Sequence, residues 1–140
     1  MEPNTNNIYA LIETALKNLK DPNIMKYHGT MDTESFFSEF RLLTINLPRQ
    51  SGATTAAKAL VDEYRDSLLI VPSQHMSRTI GIENSSINVT HYRNIRQEWF
   101  RGRNLLDLII IDSCRQIPPM EINRLINNLK LKTRLFVVLG

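Results

Sequence analysis

Apolar residues recur along the first twenty positions at helical spacing. Ile8, Leu11, Ile12, Ala15, Leu16 and Leu19 share one face, and Asp21-Pro22 ends the pattern. This predicts a helix over 5–20, followed by a loop over 23–29. Thr33 stands as the N-cap of a short helix carrying Phe36, Phe37 and Phe40. The pattern changes at Arg41. A short apolar run over 42–47 leads into a polar, glycine-containing loop over 48–53, and a helix over 54–65 places Ala56, Ala57, Leu60, Val61 and Tyr64 on one side. Uninterrupted apolar runs at Ser67–Val71, at 107–111 and at 135–139, with a weaker one at 87–90, read as strands. A basic, aromatic helix is predicted over 92–101, and Pro118-Pro119 suit the first turn of a helix running to Leu129.

Apolar runs without in–out alternation imply strands covered on both faces. Their alternation with helices implies right-handed crossovers and a mainly parallel sheet. The expected fold is therefore α/β, a three-layer sandwich, and a chain of 140 residues suits one such domain. The expected organisation is a helical preface over 1–40 packed on a core formed by 41–140.

Composition adds the exclusions. Hydrophobic residues at 42% and charged residues at 22% are those of an ordinary globular chain rather than a disordered one. The single cysteine, Cys114, cannot form an internal disulfide or a cysteine-rich zinc site, and its place after a buried strand favours a structural thiol. His28, His75 and His91 show no ligand spacing. With no apolar run of transmembrane length and no signal-peptide plan at the start, a cytoplasmic protein without a membrane partner is expected. The net charge of +3 divides unevenly: residues 1–40 carry three Lys against six acids, and residues 41–140 carry fourteen Lys or Arg against eight acids. A basic body favours polyanions, though ordinary surface charge accounts for the same numbers.

The candidate chemistry lies after the first strand. Strand, glycine loop and helix form the arrangement that cradles phosphate on backbone N–H groups, and an ordinary strand-to-helix turn capped by Ser51 or Thr54 has the same outline. Against the P-loop pattern, Gly52 takes the second glycine and Thr54 the Mg²⁺-binding hydroxyl, whereas Leu47 stands for the first glycine and Ala53 for the lysine. The apolar run ending at Asp112 has the form of a strand that brings a carboxylate to the metal.

The segment Arg49-Gln50-Ser51-Gly52-Ala53-Thr54-Thr55 resembles the Arg-Gln-x-Gly-Lys-Thr-Thr loop of phage large terminases and related helicase-like ATPases. Ser67–Val71 with Pro72-Ser73 is similar to their next strand and DNA-side motif, 107–112 to their Walker B strand, and 136–140 to the strand of their coupling motif. The resemblance covers 41–140 and implies a RecA-like P-loop domain, phage-encoded, with ATP and Mg²⁺ as cofactors. It implies nucleotide contacts from Arg49, Gln50, Ser51, Gly52, Ala53, Thr54 and Thr55, and Mg²⁺ contacts from Thr54 and Asp112. Two departures bear on turnover. The lysine is missing, and Ser113 stands where many such ATPases have a glutamate, so weak, partner-dependent or absent hydrolysis is expected. Arg49 is either a surrogate for the lysine or a plain surface arginine.

Residues 91–103 hold four arginines against one glutamate, with Tyr92, Ile95 and Trp99 at core-facing spacing. Arg93, Arg96, Arg101 and Arg103, extended by Arg78, form either a nucleic-acid surface or a solvated face. Two functions are expected. One is a nucleotide-binding domain acting on DNA. The other is a pseudo-ATPase that binds nucleic acid or a host or phage protein.

Overall fold

A computed structural model describes residues 3–47, 52–95 and 105–140. Its centre is a five-stranded sheet in the order β1-β5-β4-β2-β3, formed by β1 (Leu42–Ile45), β2 (Ser67–Val71), β3 (Val89–His91), β4 (Leu106–Ile111) and β5 (Thr133–Leu139). Every pairing is parallel, with Ile45 opposite Leu139, Ile111 opposite Val138 and Ile70 opposite Ile111. This is the expected α/β sandwich.

Strand side chains alternate between two cores. Leu69, Val71, Leu108, Ile110, Leu135 and Val137 face one core, which is covered by α1 (Pro3–Asn18), α4 (Ala53–Glu63) and α5 (Gln74–Glu83). Leu68, Ile70, Ile109, Ile111, Phe136 and Val138 face the other, with Leu125 and Leu129 of α6 (Pro119–Leu129) and with Phe37. The central strands are buried on both sides, which is why their sequences show runs and no alternation.

Residues 3–41 are part of this construction. Ile8 and Ile12 of α1 are buried among Ala56, Ala57 and Leu60 of α4. The expected loop over 23–29 contains α2 (Pro22–Met25) and a 3₁₀ turn over Lys26–Gly29. The next helix, α3 (Thr33–Phe36), is capped by Asp32, not Thr33. The Asp32 carboxylate accepts the Ser35 N–H and hydroxyl, each at 2.8 Å, and Thr33 is the first helical residue. A π-helical turn over Phe37–Arg41 then leads into β1.

Two further corrections concern the β3 side. The helix α5 forms where the apolar pattern predicts none; it starts on Ser73, whose hydroxyl accepts the Met76 N–H at 3.1 Å. The helix predicted from residue 92 does not form at its start. Tyr92–Asn94 is a single 3₁₀ turn, and Ile95 has extended geometry with φ −77° and ψ 124°. A spacing of three, as between Tyr92 and Ile95, suits a 3₁₀ turn as well as an α-helix, and the turn already directs both side chains to the core. The remainder of that predicted helix lies outside the described residues.

Candidate nucleotide site

The carboxyl ends of β1, β5, β4 and β2 lie side by side, with the Gly140 N–H on the Ile45 carbonyl at 3.1 Å joining β5 to β1 and the Asp112 N–H on the Ile70 carbonyl at 2.9 Å joining β4 to β2. Open parallel sheets bind ligands at this edge. Here α4 starts. Its N-cap is Gly52, in the left-handed region at φ 83° and ψ 11°, and the first helical bond runs from the Ala56 N–H to the Gly52 carbonyl at 3.0 Å. Gly52 has no side chain to cap the helix, so the N–H groups of Ala53, Thr54 and Thr55 have neither an intrahelical acceptor nor a cap from that residue.

Thr54, in the first turn of α4, donates its hydroxyl to Asp112 Oδ2 at 2.7 Å. Asp112, directly after β4, is only 1% exposed. Burial pushes its carboxyl above the usual aspartate range. The Thr54 hydroxyl, the Ser113 N–H and hydroxyl, and the positive charge of Lys58 oppose that shift. Ser113 is left-handed at φ 54° and ψ 45°, an uncommon conformation for a residue other than glycine.

Among the described residues, neither position 53 nor Lys58 offers an unpaired cation to the start of α4. Ala53, at the lysine position, packs against the apolar core shared by α1 and α4. Lys58, one turn on, pairs with Glu83 of α5 at 3.2 Å. Thr55 is exposed. The expectations for Arg49, Gln50 and Ser51 lie outside the described residues.

The donor set suits Mg²⁺ as a nucleotide carries it. Such an ion is typically held by one or two carboxylates together with substrate phosphates and water. Asp112 and Thr54 supply one carboxylate and one hydroxyl beside helix N–H groups that have no intrahelical acceptor. Among the described residues no group of three His, Cys, Asp or Glu side chains could hold a metal by itself. Cys114 is half-buried, and burial pushes its thiol pKa up, away from the range of a reactive thiolate.

Of the arginine surface, Arg78 is exposed on α5 and Arg93 is exposed just after β3, so both lie on the β3 side of the sheet. Arg93 Nε donates to the Tyr92 hydroxyl at 3.0 Å, and its guanidinium lies 5.4 Å from the ring centre. Arg96, Arg101 and Arg103 lie outside the described residues. One residue at the site had no signal in the sequence. Thr5 of α1 is 2% exposed and donates its hydroxyl to the Gly52 carbonyl at 3.3 Å, across 47 positions.

No protein-family model matches the chain, and no curated protein matches it. Among solved structures it is similar to the UvsW helicase from bacteriophage T4, at 16% identity and a TM-score of 0.49, over 74% of this chain and 48% of that chain. The chain thus spans about half the length of that helicase. No helix among the described residues is long and apolar enough to cross a membrane.

Proposed function

We propose that this chain is a degenerate P-loop domain of the helicase or terminase type. It binds a nucleoside triphosphate with Mg²⁺ and hydrolyses it weakly or only with a partner's help. The observation that carries this reading is the Thr54 hydroxyl at 2.7 Å from the buried Asp112 carboxylate, beside the glycine-capped start of α4. Phosphate oxygens would take the N–H groups of the first turn of α4, and Mg²⁺ would be held between phosphate, Thr54 and Asp112. Bound Mg²⁺ supplies charge neutralisation on the phosphates. Thr54 and Asp112 orient it, and Asp112 must be ionised to do so.

Calorimetric titration with ATP and Mg²⁺ tests this. Binding by the wild type that depends on Mg²⁺ and is lost in Asp112→Asn supports the reading. Equal affinity in Asp112→Asn removes Asp112 from the metal site, and no binding by the wild type refutes the reading.

The second reading, a pseudo-ATPase that binds nucleic acid or protein, draws on the diversion of Lys58 to Glu83 and on the core packing of Ala53. It predicts binding of single-stranded DNA, or of a protein partner, that ATP does not alter.

A further inference from the structure

The Thr5–Gly52 contact joins the first helix to the start of α4, and it constrains both partners. A Cβ built on Gly52 would lie 2.0 Å from Thr5 Oγ1 and 3.2 Å from Thr5 Cβ, so α1 occupies the space that a side chain at 52 would fill. The Gly52 carbonyl accepts two bonds, from the Ala56 N–H at 3.0 Å and from the Thr5 hydroxyl at 3.3 Å. One turn further along α1, Ile8 is buried in the core that α4 shares, and Ile12 follows it there. Thr5 is therefore held from below by packing, and its hydroxyl has a fixed direction. Two residues beyond Gly52 stands Thr54, bonded to Asp112. A shift of Gly52 turns the first turn of α4 and moves the Thr54 hydroxyl against a carboxylate fixed by β4.

We propose that Thr5 is a positioning residue for this site: its hydroxyl holds the Gly52 carbonyl and thereby the first turn of α4, so that docking of α1 and occupation of the site are thermodynamically linked. The linkage rests on the nucleotide reading; the restraint on α4 does not. Linkage is reciprocal. A ligand that favours the docked geometry must tighten α1, and loosening α1 must weaken the ligand by the same factor.

Valine is close in shape to threonine and removes only the hydroxyl. Thr5→Val is therefore compared with the wild type and with Thr5→Ser, which keeps the donor; Thr5→Ala serves if valine disturbs packing. The first measurement, without ligand, is amide exchange at Ala56. Loss of one neutral hydrogen bond should speed it by roughly five-fold, with Thr5→Ser close to the wild type. The second is titration with ATP and Mg²⁺. The affinity of Thr5→Val should fall by a similar factor, Thr5→Ser should restore it, and nucleotide should slow exchange in α1 of the wild type. Unchanged exchange at Ala56 in Thr5→Val overturns the proposal. Faster exchange at Ala56 in Thr5→Val without any change in affinity overturns the linkage and leaves nucleotide binding intact. Absence of binding by the wild type overturns the nucleotide reading and the linkage, while exchange at Ala56 still decides whether Thr5 holds α4.

Discussion

Replacing Thr54 by valine separates the electrostatics of the site from its shape. The hydroxyl is lost from a carboxylate that is 1% exposed, at a contact of 2.7 Å. A hydrogen bond to a charged group contributes about 1.5–3 kcal/mol, and Thr54 is only half-buried, so a loss of about 2 kcal/mol at neutral pH follows. For a chain of this size about 1 kcal/mol corresponds to roughly 4 °C, giving a Tm lower by about 8 °C. The loss depends on pH in a defined direction. Burial raises the folded-state pKa of Asp112 above its ordinary value of 3.8, so this group's ionisation lowers stability as pH rises from there through the folded value. The Thr54 hydroxyl opposes that rise. Without it the folded pKa moves further up, and the variant loses more than the wild type over the same window. Below the unfolded pKa both forms carry a neutral acid, and the missing bond is a neutral one of about 1 kcal/mol. Thermal melts of both proteins across a pH series should show a Tm gap that roughly halves toward acid and levels off above the variant's folded pKa. A gap independent of pH, or no gap at neutral pH, refutes the claim that Thr54 stabilises an ionised Asp112.

Restoring the missing chemistry should succeed for binding and fail for turnover. Ala53→Lys is expected to tighten ATP binding by about ten-fold, the scale of one charge-assisted bond, with no matching rise in phosphate release. Adding Ser113→Glu should still give no steady turnover, because residue 113 is left-handed, which costs roughly 1–2 kcal/mol without the local bond that Ser113 makes to Asp112; phosphate release rising with Ser113→Glu alone would show that the backbone relaxes freely. Arg93, Arg96, Arg101 and Arg103 acting together on single-stranded DNA should give a log–log salt slope of about −3, and Arg93→Ala should make it shallower by about 0.7. Binding that ignores salt assigns these arginines to a solvated face or a protein partner.

The sheet was legible because burial on both faces leaves its mark residue by residue. Ser67–Val71 and the runs ending at Ile111 and Leu139 are apolar at nearly every position, which no surface element tolerates. The helix α5 was not legible. It buries one hydrophobic residue, Ile80, and its other apolar side chains include Ile82, 85% exposed, so no stripe appears. Its signal was the cap at Ser73, which a turn-forming Pro72-Ser73 obscured. The segment from Tyr92 misled because a spacing of three does not distinguish two kinds of turn. The Thr54–Asp112 pairing could be anticipated from chain order, since Asp112 directly follows a buried strand and Thr54 stands in the first turn of the helix after β1. Thr5 could not be found that way. A contact across 47 positions depends on how α1 crosses α4, and crossing geometry is set by packed side chains rather than by any local pattern.

Gly52 shows why the choice of diagnostic residue matters. A phosphate loop requires a glycine there so that the backbone can approach its ligand. Plain packing requires one as well, because φ is 83° and Thr5 fills the space beside Cα. Loss of binding in Gly52→Val would therefore follow from either cause, and glycine at this position argues for neither. The Thr54–Asp112 pair is different. A buried carboxylate with a raised pKa destabilises the fold when ionised, and a valine facing an apolar residue would fill the same space more cheaply. Asp112 accepts from the Thr54 hydroxyl and from the Ser113 N–H and hydroxyl, which offset part of the cost of burying it. The presence of Thr54 and Asp112 together, at the sheet edge where parallel folds take ligands, is what the proposed Mg²⁺–nucleotide reading accounts for, and the pair rather than the glycine is the place to test it.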